Sequence, residues 1–388
     1  MPEAVIVDAV RSPIGRAFKG SLAQLRPEET AAYVVDQLLE RNPDVDPKLV
    51  EDLYCGCGMP QGLQAFNVAR IIVMLSEKLT QETTGTTISR YCASSLDAIR
   101  HASNAIRSGE GDAYIAAGVE FVSRFNERTE PAGSADRNPN LIGENGQPNV
   151  YIDMGLTAVN VAKHYEVSRS DMDKYAQRSQ ELAVASQESG FFDREIVAVK
   201  DADGNEVAKD DGPRASSTLE KLSELPEAFD GGGGVTAGNS CPLNDGAAAV
   251  LLMSRQKADA LGVEPLARIV ASAVSGNQPE IMGVAPIDAV PKVLAQAGMK
   301  IGDIDVVELN EAFAAQVLPV CRETGIDIET QLNPHGGAIA LGHPFGMTGA
   351  RIMTTLINDL QTRDQTYGLE TMCAAGGMAM AMIIERLS

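Results

Sequence analysis

Short β-branched runs alternate with amphipathic segments along the whole chain, and this alternation constrains the fold more than any other feature. Runs rich in Val and Ile are typical of buried strands, whereas apolar residues at a spacing of about 3.6 are typical of helices. The alternation therefore predicts an α/β fold in which helices cover the strands. The predicted strands are Val5–Val10, Leu53–Gly56, Tyr114–Gly118, Asp245–Ser254, Ala267–Val274, Val306–Leu309 and Leu369–Cys373. The predicted helices are Glu29–Glu40, Ser94–Ile106, Thr157–Glu166, Ser170–Glu188, Asp288–Ala297 and Thr348–Leu360.

The same order of strands and helices occurs twice, once towards each end of the chain. The matched positions are Tyr54 with Glu308, Cys92 with Gly346 and Val119 with Cys373, each pair 254 residues apart. A constant spacing favours an internal duplication, although sequence identity between these anchors is poor. In a duplicated unit, equivalent loops face each other across a pseudo-twofold axis. We therefore expect Cys92, His343 and Cys373 to lie close together.

Composition changes between the two repeated parts. Residues 124–149 are polar and rich in Pro, Gly and Asn, residues 200–214 are acidic, and residues 231–234 are all glycine. Such stretches are typical of loops. We expect three units: a first half of residues 1–119 plus 246–260, an inserted loop domain of residues 120–245, and a second half of residues 261–388.

Charge and composition exclude several classes of partner. The 388 residues carry a formal net charge of −21, which disfavours nucleic acid and anionic membranes as partners. The longest nearly uncharged apolar stretch, Met372–Ile384, is shorter than the roughly 18 residues that a membrane-spanning helix requires. Asp8 and Arg11 interrupt what would be the apolar part of a signal peptide. We expect a cytoplasmic protein without membrane insertion, whose six cysteines are reduced.

Cys92 is the first candidate for chemistry, because it stands immediately before the predicted helix at Ser94–Ile106. Unpaired amides and the helix dipole at that position lower the pKa of a thiol below its usual value of about 8.5. The alternative for Cys92 is a buried and inert cysteine, which is the common case inside cells. Cys55 and Cys57 end a predicted strand, and we interpret them as packing residues.

His343 is the second candidate, because it follows the run 336–342 of small residues, which let a backbone approach a ligand closely. The chain has only four histidines. We expect His101 and His164 on helix surfaces without a role. His335 either lines the same loop as His343 or forms hydrogen bonds to it.

Two further candidates follow predicted strands. Cys373 ends one strand and precedes the small residues 374–377, and the polar pair Asn310 and Glu311 follows another strand. The polar pair is either part of a site or a helix cap. The sequence contains no GxxxxGK[ST], no GxGxxG after a strand, and neither HxxxH nor HExxH. It therefore predicts no Walker-type phosphate loop and no metal.

Together, these segments resemble the thiolase family over essentially the full chain. The order and spacing of the set are much more specific than any single motif. The motifs are VIVDAVRSPIGR at 5–16, CASSL at 92–96, VTAGNSCPLNDGAAAVLLMS at 235–254, NEAFA at 310–314, GGAIALGHP at 336–344 and CAAGG at 373–377.

The resemblance implies a role for each candidate residue. Cys92 would take the acyl group as a thioester, His343 would be the base that activates it, and Cys373 would move the proton of the acetyl α-carbon. Asn310 would hold a water that forms one oxyanion hole together with His343. The backbone N–H groups of Cys92 and Ala375 would form a second oxyanion hole. Acyl transfer and carbon–carbon bond formation need a nucleophile, acid–base groups and oxyanion stabilisation of this kind.

The resemblance also implies the fold, the substrates and the assembly. It implies two duplicated α/β halves in a layered αβαβα core, with an inserted loop domain on the side that binds coenzyme A. Acyl-CoA and coenzyme A would be substrates, with no cofactor, in fatty acid metabolism such as β-oxidation. The protein would form a homodimer or homotetramer. The expected substrate-binding residues are Met154, Arg214, Ser240 and Phe313.

The sequence departs from the family pattern at several positions. Ala375 replaces a usual glycine, and alanine is strained there if φ is positive. Ser95 also stands where glycine is common. Cys241 and Pro242 stand where Ser and Gly are usual, and Asp153 precedes Met-Gly where acetoacetyl-selective members often have His. These departures leave the range of acyl chains open.

Three functions are compatible with the sequence. The leading hypothesis is a thiolase that either cleaves 3-ketoacyl-CoA or condenses two acetyl units through an acyl-Cys92 intermediate. A ketoacyl-synthase-like condensing enzyme is the second, but that class has a histidine where this chain has Cys373. The third is a catalytically silent acyl-CoA- or lipid-binding protein on the same scaffold. The presence of Cys92, His343, Cys373 and Asn310 together disfavours this third function.

Overall fold

Most strands of the protein belong to one large mixed sheet. The fold was analysed in a computed structural model that describes residues 2–127, 137–144 and 146–388. The strands are β1 Ala4–Arg11, β2 Gly15–Arg16, β3 Val50–Gly56, β4 Thr84–Ile88, β5 Ala113–Phe121, β6 Val199–Lys200, β7 Glu206–Val207, β8 Asn244–Ser254, β9 Ala267–Gly276, β10 Val306–Leu309, β11 Tyr367–Ala374 and β12 Met378–Arg386. The helices are α1 Pro27–Arg41, α2 Val68–Leu75, α3 Ser94–Ser108, α4 Met154–His164, α5 Arg169–Glu188, α6 Leu219–Ser223, α7 Arg255–Leu261, α8 Pro286–Ala297, α9 Ala314–Thr324, α10 Ala338–Leu341 and α11 Thr348–Thr362.

The strand order of the sheet repeats itself. From β1 outward the order is β8, β5, β3 and β4, and from β9 outward it is β12, β11 and β10. The strand directions repeat as well, with two antiparallel pairs followed by a parallel pair in each series. Tyr54 pairs with Ala116 in the first series, and Glu308 pairs with Glu370 in the second. Each residue of the second pair lies 254 positions after its equivalent in the first. The predicted duplicated α/β fold is confirmed at the level of strand register.

The two series of strands meet at one short contact. β1 pairs with β9 only through Val5 with Arg268 and Ile6 with Ala267. The expected unit boundaries fall inside strands, because β5 continues to Phe121 and β8 already begins at Asn244. The expected boundaries at residues 119 and 246 each lie two residues inside a strand. The division into two halves and an inserted domain stays a proposal.

Helices cover the sheet in layers. α1 and α2 pack on the outer face of the first series of strands, and α8 and α9 pack on the outer side of the second. α3 and α11 lie between the two series and bury the inner faces of both. Strands buried on both faces read as continuous apolar runs, and every residue of β8 is buried. The arrangement is the αβαβα layering expected for the fold.

The two central helices touch backbone to backbone. The Ala350 N–H of α11 donates to the Ser95 hydroxyl of α3 at 2.8 Å. A Cβ atom on Gly349 would lie 2.3 Å from the Leu96 nitrogen, so only glycine permits this approach. Ser95 and Gly349 are themselves equivalent positions, 254 residues apart. The first turns of α3 and α11 are therefore fixed against each other.

Buried charges attach the region between β5 and β8 to the first half. The Arg11 side chain of β1 donates from Nε to Glu195 at 2.7 Å and from both terminal nitrogens to Asp210 at 2.7 and 2.9 Å. The Ile14 N–H also donates to Asp210, at 2.7 Å. All three charged side chains are almost fully buried. The acidic stretch predicted as a loop thus docks on the segment after β1.

Several predicted elements needed correction. The helix expected at Thr157–Glu166 begins at Met154, because the Asp153 carboxylate accepts the Gly155 N–H and caps it. Ser168 caps α5, so Ser170 lies inside that helix. Part of the predicted polar excursion, residues 128–136 and 145, lies outside the described residues.

The apolar stretch Met372–Ile384 forms the end of β11 and most of β12. β12 was not predicted from the sequence. Its methionines and alanines lack the β-branched signature of strands. β12 pairs with β9 on one side and with β11 on the other, and it is largely buried. Over the described ranges, no helix reaches the combination of length and apolarity required to cross a membrane.

Replacing Arg11 with methionine is expected to destabilise the protein strongly. Arg11→Met would leave Glu195 and Asp210 as buried carboxylates without their cation, which costs about 3–5 kcal/mol. Urea unfolding measures this change. Arg26→Met is the control, because Arg26 is 46% exposed and its ion pair with Glu28 contributes at most about 1 kcal/mol. Equal effects of the two substitutions would contradict the structural importance of the Arg11 network.

Candidate functional site

Four loops meet at one end of the two parallel strand pairs. Cys92 lies in a 3-10 turn that leads into α3, and Asn310 follows β10. His343 lies between α10 and α11, and Cys373 is the second-to-last residue of β11. Phe345 and the carbonyl of Tyr91 both lie near Gly58: a Cβ atom there would be 2.8 Å from the Phe345 Cβ and 3.1 Å from the Tyr91 oxygen. The loops that carry Cys92 and His343 therefore both pack against Gly58.

Cys92 is held in a strained and buried position. The preceding residue, Tyr91, has φ of +47°, which is unfavourable for an aromatic residue. Burial raises the pKa of the Cys92 thiol well above its usual value, and the charges of Cys373 and Glu120 raise it further. The N–H groups of Cys92 and Ala375 lower the pKa but do not outweigh burial. The expected low pKa is therefore wrong for the resting site, because desolvation is stronger than the helix terminus.

His343 is a neutral imidazole whose proton position can be assigned from its neighbours. Burial lowers the pKa of His343 to about 3, and the charge of Arg351 contributes. Nδ1 lies 2.7 Å from the Thr348 hydroxyl oxygen, and that hydroxyl donates its single proton to the Pro344 carbonyl at 2.8 Å. With the hydroxyl donating to Pro344, we assign the imidazole proton to Nδ1. Nε2 therefore carries a lone pair that is able to accept a proton, with the Asn310 amide nitrogen 3.4 Å away as a hydrogen-bond donor.

Asn310 faces the imidazole of His343. Its amide nitrogen lies 3.4 Å from His343 Nε2, and the side chain is fully buried. Its amide oxygen has no hydrogen-bond partner among the described residues. Phe313, rather than Asn310 or Glu311, occupies the N-cap position of α9. The helix-cap interpretation of the polar pair is therefore wrong, and a buried amide is left facing the site.

The turn after β11 presents Cys373 and a backbone amide. Burial raises the pKa of Cys373 to about 12, and the charge of Cys241 adds to this effect. Positive φ values of 80° occur at Gly376 and Gly377 but not at Ala375. The alanine in place of the usual glycine is therefore unstrained. Its N–H remains free to hydrogen-bond towards Cys92.

Cys241 brings a third thiol to the site. Burial raises its pKa, and the charge of Cys92 raises it further, so the two thiols lie within electrostatic range of each other. The Cys241 N–H donates to the carbonyl of Ala312 at 3.0 Å, which ties this loop to the segment after Asn310. Sequence reasoning noted Cys241 as a departure but gave it no place in the site.

Glu311 supports the loop that carries His343, a role that the sequence reasoning missed. Its buried carboxylate accepts hydrogen bonds from four donors, each within 3.1 Å. The donors are the Tyr175 and Ser179 hydroxyls of α5, the Asn333 amide and the Ile339 N–H. The only sequence signal was the polar pair at the end of a strand.

A cavity of about 310 Å³ lies beside the site and contains two of the expected substrate-binding residues, Arg214 and Ser240. Lys221, Gln180 and Ala340 also line it. Burial lowers the pKa of Arg214, and the neighbouring charge of Arg16 contributes. Arg214 and Lys221 place two basic side chains in this cavity, although the net charge of the chain is −21.

Met154 and Phe313, the other two expected substrate-binding residues, do not line this cavity. Met154 packs against the hydrophobic core to which the buried Phe313 belongs. Phe313 contacts Phe229 edge to face, with ring centroids 6.3 Å apart. A Cβ atom on Gly155 would lie 2.1 Å from the Phe229 ring, so glycine is required there. Phe229 was not predicted from the sequence.

The remaining histidines and Cys55 lie outside the cluster. His101 and His164 are exposed residues of α3 and α4, and Cys55 is completely buried. His335 stacks on Phe191 and lies within 2.9 Å of Ser186 and Asp359, so it fixes the start of the His343 loop. Within the described part of the chain, no three His, Cys, Asp or Glu side chains converge as ligands for a metal ion.

The arrangement is suited to acyl transfer between sulfur atoms. Cys92 can act as a nucleophile, and the unprotonated Nε2 of His343 can accept its proton. The Ala375 N–H and the Asn310 amide are donors for a carbonyl oxygen that becomes negative in the reaction. The thiol of Cys373 could supply a second acid–base group, which is required when a second proton moves.

Almost the whole chain matches models of known protein families. The family model described as "Thiolase, N-terminal domain" matches residues 4–256, and the model described as "Thiolase, C-terminal domain" matches residues 263–386. The chain is 43% identical to the 3-oxoadipyl-CoA/3-oxo-5,6-dehydrosuberyl-CoA thiolase of Escherichia coli, over all of both chains. It is 42% identical to the 3-ketoacyl-CoA thiolase of Bacillus subtilis, over 99% of this chain and all of that one.

Solved structures agree with the sequence matches. The acetyl-CoA acetyltransferase of Bacillus anthracis superposes with a TM-score of 0.90 at 38% identity, over all of this chain and 99% of that one. The dimeric peroxisomal thiolase of Saccharomyces cerevisiae superposes with a TM-score of 0.92 at 36% identity, over all of this chain and 98% of that one. The similarity therefore extends to the whole fold.

The protonation state of His343 can be tested directly. Because its pKa is lowered to about 3, His343 is expected to stay neutral, with the proton on Nδ1, between pH 5 and pH 8. The ¹⁵N chemical shifts of histidine-labelled protein distinguish this tautomer, and a His343→Gln variant assigns the signal. In Thr348→Val the preference for Nδ1–H is expected to weaken, whereas Thr354→Val on the same helix is expected to leave the signal unchanged. An imidazolium signal at pH 6 in the unsubstituted protein would contradict the assignment.

Proposed function

The chain belongs to the thiolase family and is an acyltransferase, and from this premise we propose that it transfers acyl groups through a thioester on Cys92. The observation that carries the proposal is the neutral His343, whose Nε2 lone pair faces the site that also holds the thiols of Cys92 and Cys373. A buried thiol with a raised pKa needs such a base, because its thiolate does not form on its own.

The first half-reaction moves the acyl group from coenzyme A to the enzyme. Cys92 Sγ attacks the thioester carbonyl while His343 Nε2 accepts the thiol proton. The bond between the carbonyl carbon and the sulfur of coenzyme A breaks, and His343 returns the proton to that leaving sulfur. The N–H groups of Cys92 and Ala375 stabilise the negative oxygen, as their hydrogen bonding towards Cys92 suggests.

The second half-reaction moves a proton at carbon. In the condensation direction, His343 Nε2 accepts the thiol proton of Cys373, and the Cys373 thiolate removes a proton from the α-carbon of a second acetyl-CoA. The enolate carbon bonds to the acetyl carbon on Cys92, the bond between that carbon and Cys92 Sγ breaks, and His343 returns its proton to Cys92 Sγ. Asn310 and His343 stabilise the enolate oxygen, with a water held by Asn310. The unpartnered amide oxygen of Asn310 supports this role. Thiolysis of a 3-ketoacyl-CoA follows the same steps in reverse.

The cavity beside the site is proposed to bind coenzyme A. Arg214 and Lys221 supply positive charge for its phosphate groups, and Ser240 supplies a hydroxyl for hydrogen bonding. An anionic substrate needs such a local concentration of cations on a strongly acidic protein. Met154 and Phe313, packed near Phe229, would contact the apolar part of the substrate. Coenzyme A acts here as a substrate, and no separate cofactor is proposed.

Relatives support a 3-ketoacyl-CoA as the substrate class. Proteins 42–43% identical to this chain are named as thiolases of 3-ketoacyl-CoA and 3-oxoadipyl-CoA. Cys373, where ketoacyl synthases have histidine, speaks against that alternative function. We place the enzyme in fatty acid or related acyl-CoA degradation, and in the cytoplasm, where its six free cysteines would stay reduced.

A homodimer is proposed through the edge of the sheet at β4. β4 ends the strand order, so its outer backbone groups are available for pairing. Phe66 beside it is 94% exposed, and Met74 and Leu75 of α2 are about half exposed. Exposed apolar groups next to an open strand edge mark an interaction surface. The yeast thiolase of the same fold is described as dimeric.

The acyl-enzyme is tested by incubating the protein with acetyl-CoA, followed by quenching and peptide mass mapping. One acetyl group is expected on Cys92, and Cys92→Ser should show little turnover, because an alkoxide forms much less readily than a thiolate. Cys321→Ser is the control, since Cys321 is a buried cysteine of α9 with no proposed role. Acetylation of another cysteine alone would contradict the proposal.

The separate roles of His343 and Cys373 are tested with two variants. His343→Ala is expected to slow acylation of Cys92 by about 10²–10⁴-fold, the usual contribution of a general base. Cys373→Ala should still form acetyl-Cys92, but it should fail to condense two acetyl units and to exchange the acetyl α-hydrogens with deuterated water. Loss of acylation in Cys373→Ala, with hydrogen exchange retained, would show that the roles are assigned wrongly.

The dimer is tested by light scattering at micromolar concentration. The unsubstituted protein should have at least twice the mass of one chain, and Phe66→Asp should shift the population towards the monomer, because the charge would be buried in the interface. Tyr33→Asp places the same charge at another exposed aromatic position, 42% exposed on α1, and should leave the mass unchanged. A monomeric unsubstituted protein would overturn the proposal.

A further inference from the structure

Glu120 is a fully buried carboxylate at the end of β5 that the proposed mechanism does not use. It accepts hydrogen bonds from the Gly58 N–H at 2.7 Å, the Met59 N–H at 3.3 Å and the Gln64 amide at 2.7 Å. It also accepts the Gly346 N–H at 2.8 Å. The Cys57 sulfur also lies 3.9 Å from Glu120 Oε1. A buried carboxylate with four N–H donors and one thiol around it is an organised site.

The donors come from both halves of the proposed duplication. Gly58 and Met59 follow β3 in the first half, whereas Gly346 lies between His343 and α11 in the second. The backbones are in direct contact here: a Cβ atom on Gly346 would lie 2.4 Å from the Val119 carbonyl oxygen and 2.7 Å from the Cys57 Cα. A single carboxylate therefore joins the loops of the two halves at the site.

The joined segments are adjacent to the reacting groups. A Cβ atom on Gly58 would contact both Phe345 and the Tyr91 carbonyl, and these two residues are next to Gly346 and Cys92 in sequence. The Phe345 ring packs edge to face on the His343 imidazole, with centroids 5.2 Å apart. A change in the position of Gly346 relative to Gly58 would therefore change the distance between thiol and imidazole.

We infer that Glu120 is a positioning residue, which sets the geometry between Cys92 in the first half and His343 in the second by binding amides of both loops. The inference rests on the proposed function, since it concerns proton transfer between these two residues. Burial raises the pKa of Glu120 to about 7, and the ionisable groups coupled to it are Cys55, Cys57 and Cys92. Its charge raises the pKa of Cys92, so Glu120 supplies geometry rather than thiolate stabilisation.

The test is single-turnover acetylation of Cys92 by acetyl-CoA in Glu120→Gln and Glu120→Asp. Glutamine keeps the length but loses an acceptor, whereas aspartate keeps the charge but is too short to reach both loops. Misplacement on the scale of 1 Å costs up to about 10²-fold, so both variants should acetylate about 10–100-fold more slowly at saturating acetyl-CoA. The half-saturating concentration should change less than about threefold, because the coenzyme A cavity does not include these loops.

Asp36→Asn is the matched control. The buried Asp36 carboxylate of α1 also binds backbone amides, those of Glu77 and Lys78, but within the first half and away from the site. It should acetylate at the rate of the unsubstituted protein, measured below the unfolding temperature of every variant. A merely structural role of Glu120 would lower the fraction of protein that becomes acetylated while leaving the rate constant unchanged, and that result would overturn the inference.

The two proposals fail in different ways. If the unsubstituted protein forms no acetyl-Cys92, the proposed function is wrong. If it forms acetyl-Cys92 and either Glu120 variant does so at the same rate constant, only the role of Glu120 is wrong. A slow rate constant with full final acetylation in both variants supports the positioning role.

Discussion

The contact between α3 and α11 is the constraint on which the site depends. Gly349 allows the two helices to meet at Leu96, and the Ser95 hydroxyl receives the Ala350 N–H across the contact. The helix beginnings are thereby fixed, and the residues just before them carry Cys92 and His343. Close-packed interiors transmit such constraints without slack, so the loops have little freedom to separate. The proposed nucleophile and the proposed base precede different helices, yet the two helices share one interface.

Burial sets the resting protonation of the site. Desolvation disfavours every charged form, so it raises the pKa of the Cys92 and Cys373 thiols and lowers that of His343. Thiol and imidazole are therefore both neutral before substrate binds. The proton on Nδ1 is held by Thr348, which leaves Nε2 as the acceptor. Proton transfer from Cys92 to His343 can then accompany attack on the thioester. The site does not have to bury a thiolate–imidazolium ion pair before substrate binds.

Buried carboxylates organise the loops around this neutral centre. Glu311 accepts hydrogen bonds from α5, Asn333 and the Ile339 amide. Asp210 accepts hydrogen bonds from Arg11 and the amide of Ile14. Glu120 does the same for the loops of both halves. A carboxylate that accepts several N–H groups specifies loop positions, because each of those donors would be costly to bury unpaired. Part of the acidic composition of the chain therefore has a structural use in its interior.

The sequence by itself determined the α/β class, the 254-residue repeat and the family motifs, because these depend on local periodicity and on short contiguous runs. It also identified Cys92, His343, Cys373 and Asn310, which the motifs carry. Only the tertiary structure decided the raised pKa of Cys92, since burial is a property of all surrounding segments, while the helix-terminus argument used only its neighbours in sequence. The same holds for Glu120: its partners lie 56 to 226 residues away, so no local pattern distinguishes it from other strand residues.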